Sequence, residues 1–585
     1  MSFDSRGPGT GAGGGNAAPL AIIAVVFGGG ALFAGVWLGG TLGAAVAGAG
    51  WNPPPFTIAT IRDFLGGGPS RLWPQAPGAA AAGAVVLLLS VLVGGGVAAW
   101  AIYRRFSRPR GLAGRRDVAA LTPRQAAERA RALRPGLKGV RDIAPADRGL
   151  LVGDLDPGGP ELRGSDEDTV LAVMAPRAGK TTALAVPIML EAPGAALLTS
   201  NKADAYAITK RARARVGTAW TLDPQGVAHA EREMWVDLLA DARTIEGAGR
   251  LASHFTTAAA DAQSRMDFWM QAARNTLTGL FHAAAISGAT VTDVLAWLAT
   301  PSDRAPVNAL RGHNDSLADQ LASTVAGAPE TRDGIYETAR QAVACLLDPQ
   351  VAAWVTPDRS RPQFEPHKFV VSRDTLYLLS KNGGGSAAGV IAALTDMVFR
   401  AGVAAGEAAG GRLRDPLRAV LDEAANVCKI DDLPDLYSHL GSRGITPVTI
   451  LQSYRQGVRV WGEPGMDALW GASTIKVIGA GTDDANFAEN LSRLIGEHKV
   501  RETSVSYGSS GRSTSTSRQR ERILEPGKVR ALPKGRALLL ATGVPVAMVR
   551  LRPWYTEPYA AAIGADKDAE EAAITSRAAK KVLTP

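Results

Sequence analysis

A short apolar run that ends in glycine, lysine and two threonines is the part of this chain best suited to bind phosphate. Residues 169–182 read Thr-Val-Leu-Ala-Val-Met-Ala-Pro-Arg-Ala-Gly-Lys-Thr-Thr. A strand-to-helix turn of this type directs backbone N–H groups and the positive end of a helix toward one point, where Lys180 reaches the β- and γ-phosphates. Thr181 then offers a hydroxyl to Mg²⁺. We therefore expect a nucleoside triphosphate to be held by Ala175, Pro176, Arg177, Ala178, Gly179, Lys180, Thr181 and Thr182.

The loop departs from the usual Gly-x-x-x-x-Gly-Lys-Ser/Thr pattern at its first position, because Met174 stands where the first glycine belongs. Methionine is compatible with the loop only where the backbone φ is one that an L-residue tolerates. An ordinary loop that happens to contain Gly-Lys-Thr is the alternative interpretation. Other parts of the chain distinguish a phosphate-binding loop from an ordinary loop.

Two more apolar segments end in side chains that complement such a loop. Residues 417–421 precede Asp422 and Glu423, and residues 445–451 precede Gln452. The carboxyl ends of parallel strands share one edge of a sheet, so we expect Asp422 at the Mg²⁺ ion, Glu423 near the attacking water and Gln452 near the γ-phosphate. A helix N-terminus decorated with acids is the simpler explanation of the two carboxylates. It does not account for the glutamine.

Apolar and β-branched runs elsewhere predict the elements that position these side chains. The predicted fold class is α/β, with a nucleotide-binding domain formed by residues 151–237 and 351–558. The Ala-rich residues 238–350 show helical periodicity and no strand pattern, so we predict an inserted all-α domain whose core includes the stripe from Phe268-Trp269 to Phe281. The Ser-rich residues 503–517 predict a mobile loop, and the tail 559–585 a helix or a disordered segment.

The N-terminal hundred residues have a different composition. After a flexible, Gly-rich start over 1–19, residues 20–47 and 79–102 carry no charge, and each exceeds the roughly 20 residues that cross a bilayer. They predict a transmembrane hairpin over 20–103. An arginine cluster opens the basic stem 104–150, so the positive-inside bias puts both ends in the cytoplasm. A signal peptide ending near Ala45-Val46-Ala47 is the alternative for the first span.

The overall charge and the cysteine content narrow the function classes. The 585-residue chain carries a net charge of +9, which favours an anionic partner, either nucleic acid or an acidic membrane surface. For the basic stem, lipid contact and DNA contact are both open. Only Cys345 and Cys428 occur, so no disulfide framework is expected. The seven histidines show no paired metal spacing, and Mg²⁺ is the only metal that we expect.

From about Val170 to Trp554 the sequence resembles the coupling ATPases of conjugative type IV secretion systems. Asn201, Met174 and Cys428 depart from the family's usual residues, which are aspartate, glycine and glycine. The segments that carry the resemblance are Lys180-Thr181-Thr182 with Pro187 and Leu190, Pro193-Gly194, Thr199-Ser200-Asn201-Lys202, Phe268-Trp269 with Ala273, Asp422-Glu423-Ala424-Ala425-Asn426, Leu433-Pro434, Ser442-Arg443-Gly444-Ile445, Gln452-Ser453, Arg522 to Pro526, Leu532-Pro533 and Pro545.

This resemblance implies a RecA-like P-loop ATPase that uses ATP and Mg²⁺, forms a homo-hexamer and is a multi-pass protein of the inner or plasma membrane. Its implied partners are the relaxase, relaxase-linked and single-stranded DNA, and the type IV secretion channel proteins. Arg443 is then expected near the subunit border, where it stabilises charge on the neighbour's γ-phosphate. A surface salt bridge, worth under about 1 kcal/mol, is the alternative for Arg443.

Three functions of different class remain open at this point. The favoured one is a DNA-translocating ATPase for conjugation. The second is an ATP-dependent motor or receptor for protein effectors, and the third is a structural scaffold that no longer hydrolyses ATP. The double-strand translocases of chromosome segregation are a related alternative, but they are expected to lack the large helical insertion and to end in a small DNA-reading domain.

Overall fold

The computed structural model describes residues 32–106, 111–260, 263–264, 267–383, 385–508 and 511–583. The predicted flexible start 1–19 and the beginning of the first predicted span lie outside these residues. The chain divides into two compact units, Met1–Arg108 and Pro109–Pro585.

The described part of the first unit is mainly helical. Two of them, Leu32–Ala49 and, within α4, Pro77–Val97, are long and apolar enough to cross a membrane. Gly43 and Gly83 let the backbones of these helices approach closely, because a Cβ at Gly43 would lie 2.1 Å from the carbonyl oxygen of Ala79. The helices are α1 (Leu32–Ala49), α2 (Ile58–Gly67), α3 (Pro69–Leu72) and α4 (Pro77–Phe106).

The second unit is built around one eleven-stranded mixed sheet, with order β2-β1-β13-β12-β9-β3-β8-β7-β4-β6-β5. The seven strands from β9 to β5 are mutually parallel, and β12, β13, β1 and β2 extend the sheet with antiparallel pairs. The strands are β1 (Leu150–Leu155), β2 (Glu161–Gly164), β3 (Val170–Val173), β4 (Ala196–Ser200), β5 (Ala219–Leu222), β6 (Thr375–Leu379), β7 (Leu417–Leu421), β8 (Ile445–Leu451), β9 (Ile475–Gly479), β10 (Glu497–Gly508), β11 (Gly511–Arg522), β12 (Arg536–Ala541) and β13 (Ala547–Arg550).

The central strands β3, β6, β7 and β8 are buried along their whole length, as parallel strands covered on both faces require. The helices of this unit cover the sheet or form the helical segment between β5 and β6. They are α5 (Pro123–Leu133), α6 (Thr181–Leu190), α7 (Asp204–Ala214), α8 (Ile245–Ala259), α9 (Phe268–Ser287), α10 (Val291–Ala299), α11 (Ala305–Leu310), α12 (Asp315–Ala326), α13 (Pro329–Ala342), α14 (Pro349–Val355), α15 (Pro366–Phe369), α16 (Ala388–Ala408), α17 (Ala424–Val427), α18 (Leu433–Leu436), α19 (Tyr454–Ala472), α20 (Ala485–Ile495), α21 (Pro526–Arg530) and α22 (Ala560–Leu583).

The helical segment α8–α14 shares a continuous apolar core with the sheet. Ala273, Leu277 and Phe281 on α9 are fully buried in it, as the predicted stripe requires. The prediction was wrong for the first two aromatic residues of that stripe, since Phe268 is 63% exposed and Trp269 is 45% exposed. They occupy the first turn of α9, where the ring of Trp269 still packs against Gly334 of α13.

The prediction of a mobile loop over 503–517 was also wrong for its described residues, 503–508 and 511–517, because they belong to β10 and β11, which pair in antiparallel register as a separate two-stranded sheet. The described part of the tail is the helix α22, which is bound to α7 through ion pairs of Glu570 with Lys210 and Arg211.

Residues 111–150 of the predicted basic stem pack against the sheet, whereas its first three residues, 104–106, end helix α4. The N–H of Ala113 donates to the carbonyl of Val546 at 2.8 Å, next to β13. Arg134 is buried and pairs with Asp147 at 2.7 Å and Asp415 at 2.9 Å. At least this arginine of the segment is therefore engaged in contacts within the protein.

Candidate functional site

The loop after β3 has the backbone of a phosphate cradle. Gly179 and Arg177 adopt left-handed conformations, with φ of 96° and 64°, and the loop closes on itself where the N–H of Ala178 donates to the carbonyl of Ala175. Helix α6 begins immediately afterward at Thr181. Pro176 and Arg177 are exposed, whereas Ala178 and Lys180 are buried. Thr181 and Thr182 are half-buried.

Met174 fits this loop without a left-handed backbone. It is absent from the residues with positive φ, so its place needs no glycine. Its N–H donates to Leu451 at the end of β8, at 2.9 Å, and its side chain is fully buried against Gly479. The methionine at this position is accommodated because Gly479, which has no side chain, leaves room for it.

Lys180, Asp422 and Glu423 meet at the carboxyl edge of the sheet because β8 pairs with both β3 and β7. The ammonium of Lys180 contacts Oε1 of Glu423 and lies 3.7 Å from Oδ1 of Asp422. Burial lowers the pKa of Lys180, and the nearby Asp422 carboxylate opposes that shift. Lys202, at the end of the adjacent strand β4, lowers it further. Sequence reasoning assigned Lys202 no role.

Asp422 is buried, and burial raises the pKa of its carboxyl group. Oδ2 accepts a hydrogen bond from the hydroxyl of Thr181 at 3.5 Å. Oδ1 has no hydrogen-bond partner among the described residues. Its backbone carbonyl is fixed by the hydroxyl of Thr199 on β4, at 3.1 Å.

Glu423 is held from two sides by amides. Nε2 of Gln452 donates to both carboxylate oxygens, at 2.8 and 2.7 Å, and Nδ2 of Asn426 donates to Oε2 at 2.7 Å. Gln456 on α19 completes the network, since its Nε2 donates to Asn426 at 3.0 Å and its Oε1 accepts from the backbone of Gln452. Glu423 itself has a left-handed backbone, with φ of 57°. Strain of this kind is characteristic of functional positions.

Sequence reasoning missed Gln456 and gave Asn426 no role beyond its place in the resemblance. Asn426 could have been identified from the sequence, because it is a polar residue only three positions after the acidic pair. For Gln456 the sequence offers only a glutamine one helical turn after Gln452. Their contacts depend on the order of β7 and β8 in the sheet, which no local pattern reveals.

Arg443 lies apart from this cluster in its own chain. It precedes β8, whereas Gln452 follows it, and a seven-residue strand separates the two by roughly 20 Å. Its guanidinium pairs with Glu407 at 3.2 Å. The structure therefore brings Lys180, Thr181, Asp422, Glu423 and Gln452 together and leaves Arg443 at the opposite edge of the sheet.

The residues at this edge fit Mg²⁺ and a triphosphate. A buried carboxylate oxygen without a hydrogen bond, next to a hydroxyl, is a donor set of the hard oxygen type that Mg²⁺ prefers. The left-handed loop and the N-terminus of α6 supply backbone donors for phosphate oxygens. Among the described residues there is no cluster of His, Cys, Asp or Glu that would hold another metal.

Two comparisons with known proteins bear on this arrangement. Residues 416–534 match the family described as the TraM recognition site of TraD and TraG. This segment contains Asp422, Glu423, Arg443 and Gln452. No curated protein matches the sequence significantly.

Solved structures of the bacterial conjugative coupling protein TrwB share the fold. An unbound monoclinic form of its TrwBdeltaN70 version is 18% identical, with a TM-score of 0.51 over 74% of this chain and 92% of that chain. A complex of TrwB with the non-hydrolysable ATP analogue ADPNP is 17% identical, with a TM-score of 0.52 over 73% of this chain and 92% of that chain.

These comparisons confirm the predicted fold class, a RecA-like P-loop domain with an inserted all-α segment, preceded in this chain by apolar helices. The resemblance to conjugative coupling proteins is confirmed as well, by the match over residues 416–534 and by the shared fold.

Proposed function

We propose that this protein is a membrane-anchored ATPase that couples relaxase-bound DNA to a type IV secretion channel and drives conjugative DNA transfer. The observation that carries the proposal is the meeting of Lys180, Asp422, Glu423 and Gln452 at the ends of three adjacent parallel strands, on a fold shared with a coupling protein. The family match over 416–534 favours a DNA-transfer role over effector secretion.

In the proposed reaction Lys180 exchanges its contact with Glu423 for the β- and γ-phosphates of ATP and neutralises their charge. Thr181 and Asp422 would hold Mg²⁺, which when bound supplies Lewis-acid stabilisation of the phosphate oxygens. Glu423 then accepts a proton from the attacking water. Gln452 and Asn426 keep its carboxylate oriented, since both already donate to it.

The anchor of the proposed protein is the pair of apolar helices Leu32–Ala49 and Pro77–Val97. We assign both ends of this hairpin to the cytoplasm because the arginines after Ile102 resist crossing the membrane. The third long apolar helix, α16, has no place in the anchor, since 78% of its apolar window is buried within the second unit. We further propose a homo-hexamer whose partners are the relaxase, its linked DNA strand and the channel proteins.

Hydrolysis by the full-length protein in detergent or nanodiscs tests this function. ATP turnover is measured alone, with a single-stranded oligonucleotide and with a duplex of the same sequence. We expect Mg²⁺-dependent turnover that DNA stimulates. Turnover that DNA leaves unchanged favours the effector-secretion motor, and an absence of turnover under all three conditions favours the non-hydrolysing scaffold.

A further inference from the structure

Strands β10 and β11 form a long ribbon that stands apart from the main sheet. Each strand has 12 residues, and the pairing runs without a break from Glu497 opposite Arg522 to Gly508 opposite Gly511. Within the part of the chain that the structure describes, no third strand joins them. Isolated two-stranded ribbons are marginal in water, so a partner that covers one face would stabilise this one.

The register separates the charged residues by face. Side chains alternate along a strand, so the odd-numbered residues of β10 share a face with the even-numbered residues of β11 that oppose them. This face, the basic face, contains every lysine and arginine of the two strands, two from β10 and four from β11. They are Lys499, Arg501, Arg512, Arg518, Arg520 and Arg522. The opposite face carries serines, His498, Glu502 and Glu521 but no lysine or arginine.

Like charges stand directly opposite each other on the basic face. Lys499 is paired in register with Arg520, and Arg501 with Arg518. Such cross-strand pairs repel and destabilise a ribbon. Lys499 and Arg520 are both exposed, and neither forms an ion pair within the described residues. The arrangement therefore becomes favourable when an anion lies across both positions.

Among the described residues, the acidic neighbours of the basic face are at the base of the ribbon. Glu489 on α20 binds Arg522 through two hydrogen bonds of 2.8 Å, and Glu497 is opposite Arg522 in register. From Lys499 outward, the basic face has no acidic position up to Arg512. Eight residue steps of about 3.4 Å make this stretch about 27 Å long. Two basic cross-strand pairs stand at the base of this stretch and Arg512 at its far end, with two uncharged pairs between them. Basic positions spread over that length are suited to a linear polyanion rather than to a single small anion.

We propose that the basic face of the β10–β11 ribbon binds the phosphate backbone of nucleic acid. This inference rests on the proposed function and assigns the DNA contact to a particular surface. Tyr507, near the tip of the same face by register, adds a ring of the type on which bases stack in single strands. The contact is to phosphates and carries no base sequence specificity.

The double variant Lys499→Gln/Arg520→Gln tests the proposal in the full-length protein. Both side chains are exposed, so the fold and the DNA-independent ATPase rate are expected to stay unchanged. The matched control, Arg550→Gln/Lys368→Gln, removes the same charge from exposed positions elsewhere, at side chains that are 61% and 78% exposed. Binding of a fluorescent single strand and of its duplex is measured between 50 and 300 mM salt.

Two lost phosphate contacts lower the slope of log affinity against log salt by about 1.4 for a single strand and about 1.8 for a duplex. If the affinity extrapolated to 1 M salt is unchanged, single-strand affinity at 0.1 M falls roughly 25-fold. The control keeps the wild-type slope. A larger loss for one of the two probes identifies the form of DNA that the ribbon contacts.

Three results overturn the proposal. In the first, the double variant keeps the wild-type slope. In the second, the control loses as much affinity as the double variant. In the third, the double variant keeps its binding to DNA and loses binding to phosphatidylserine vesicles instead. Failure of the proposed function itself gives a different result. In that case the wild-type protein binds neither the single strand nor the duplex.

Discussion

Lys180 and Glu423 are ion-paired at the carboxyl edge of the sheet although 243 residues separate them in the chain. The contact exists because β8 lies between β3 and β7 and brings the ends of those strands to one place. The two partners have different further neighbours. Lys180, the last residue of the phosphate loop, also lies 3.7 Å from Asp422, and Glu423 accepts hydrogen bonds from the amides of Gln452 and Asn426.

Replacing Lys180 by alanine should lower ATP turnover at least about 100-fold, because one preorganised charge at the reacting phosphate is lost. The fold should remain, since Glu423 keeps its three hydrogen bonds to amides. Turnover and far-UV circular dichroism check both points. Lys381→Ala is the matched control, because Lys381 is an exposed lysine that follows β6 at the same edge of the sheet. Wild-type turnover in the Lys180 variant would remove the nucleotide site from this loop.

Glu423→Gln should bind ATP and stall before hydrolysis. Glutamine has nearly the same shape but only one acceptor oxygen, so it keeps part of the hydrogen bonding from Gln452 and Asn426 and does not accept the proton of the attacking water. Equilibrium binding of a fluorescent ATP analogue and single-turnover hydrolysis separate the two effects. Glu571→Gln, at an exposed position on α22, should behave as wild type. A fast Glu423→Gln enzyme would show that another group is the base.

Shortening Met174 to alanine should destabilise the protein by about 2–5 kcal/mol without raising turnover, because its buried side chain fills the space beside Gly479. Met174→Leu preserves most of the volume and should cost under about 1.5 kcal/mol. Urea unfolding of the two variants gives the comparison. Faster hydrolysis by Met174→Ala would mean that the methionine hinders the loop.

A cysteine in place of Ser70 should react with an impermeant maleimide on intact cells, since we assign residues between the two apolar helices to the outside. Ser70 is exposed in its own unit. The native thiols give little background: burial raises the pKa of Cys345 to about 11 and that of Cys428 to about 12, so the reactive thiolate is scarce. Ser316→Cys, exposed on α12, should label only after lysis. Labelling of both variants only in lysates would reverse the topology.

Several parts of this structure were predictable from local patterns. The strands that precede the phosphate loop, Asp422 and Gln452 are mainly apolar runs followed by polar residues, and such runs indicate buried parallel strands. The β10–β11 ribbon was missed because neither of its faces is apolar, so its alternation lacks the contrast that identifies a half-buried strand. Exposure of Phe268 and Trp269 follows from where α9 begins relative to its neighbours. Helical periodicity does not contain that information.

Arg443 provides the last prediction. It lies at the opposite end of β8 from Gln452 and pairs with Glu407, so it does not contact the nucleotide site of its own chain. If it completes the site of a neighbouring subunit, Arg443→Ala and Lys180→Ala should each be inactive alone and partly active when mixed, because some interfaces then combine an intact loop with an intact arginine. Gln452→Ala mixed with Lys180→Ala should show no rescue, because each variant lacks a residue of the nucleotide site in its own chain. Turnover of the mixtures, across subunit ratios, is the measurement. Equal behaviour of the two mixtures, or an active monomer, would leave Arg443 as a surface salt bridge worth under about 1 kcal/mol.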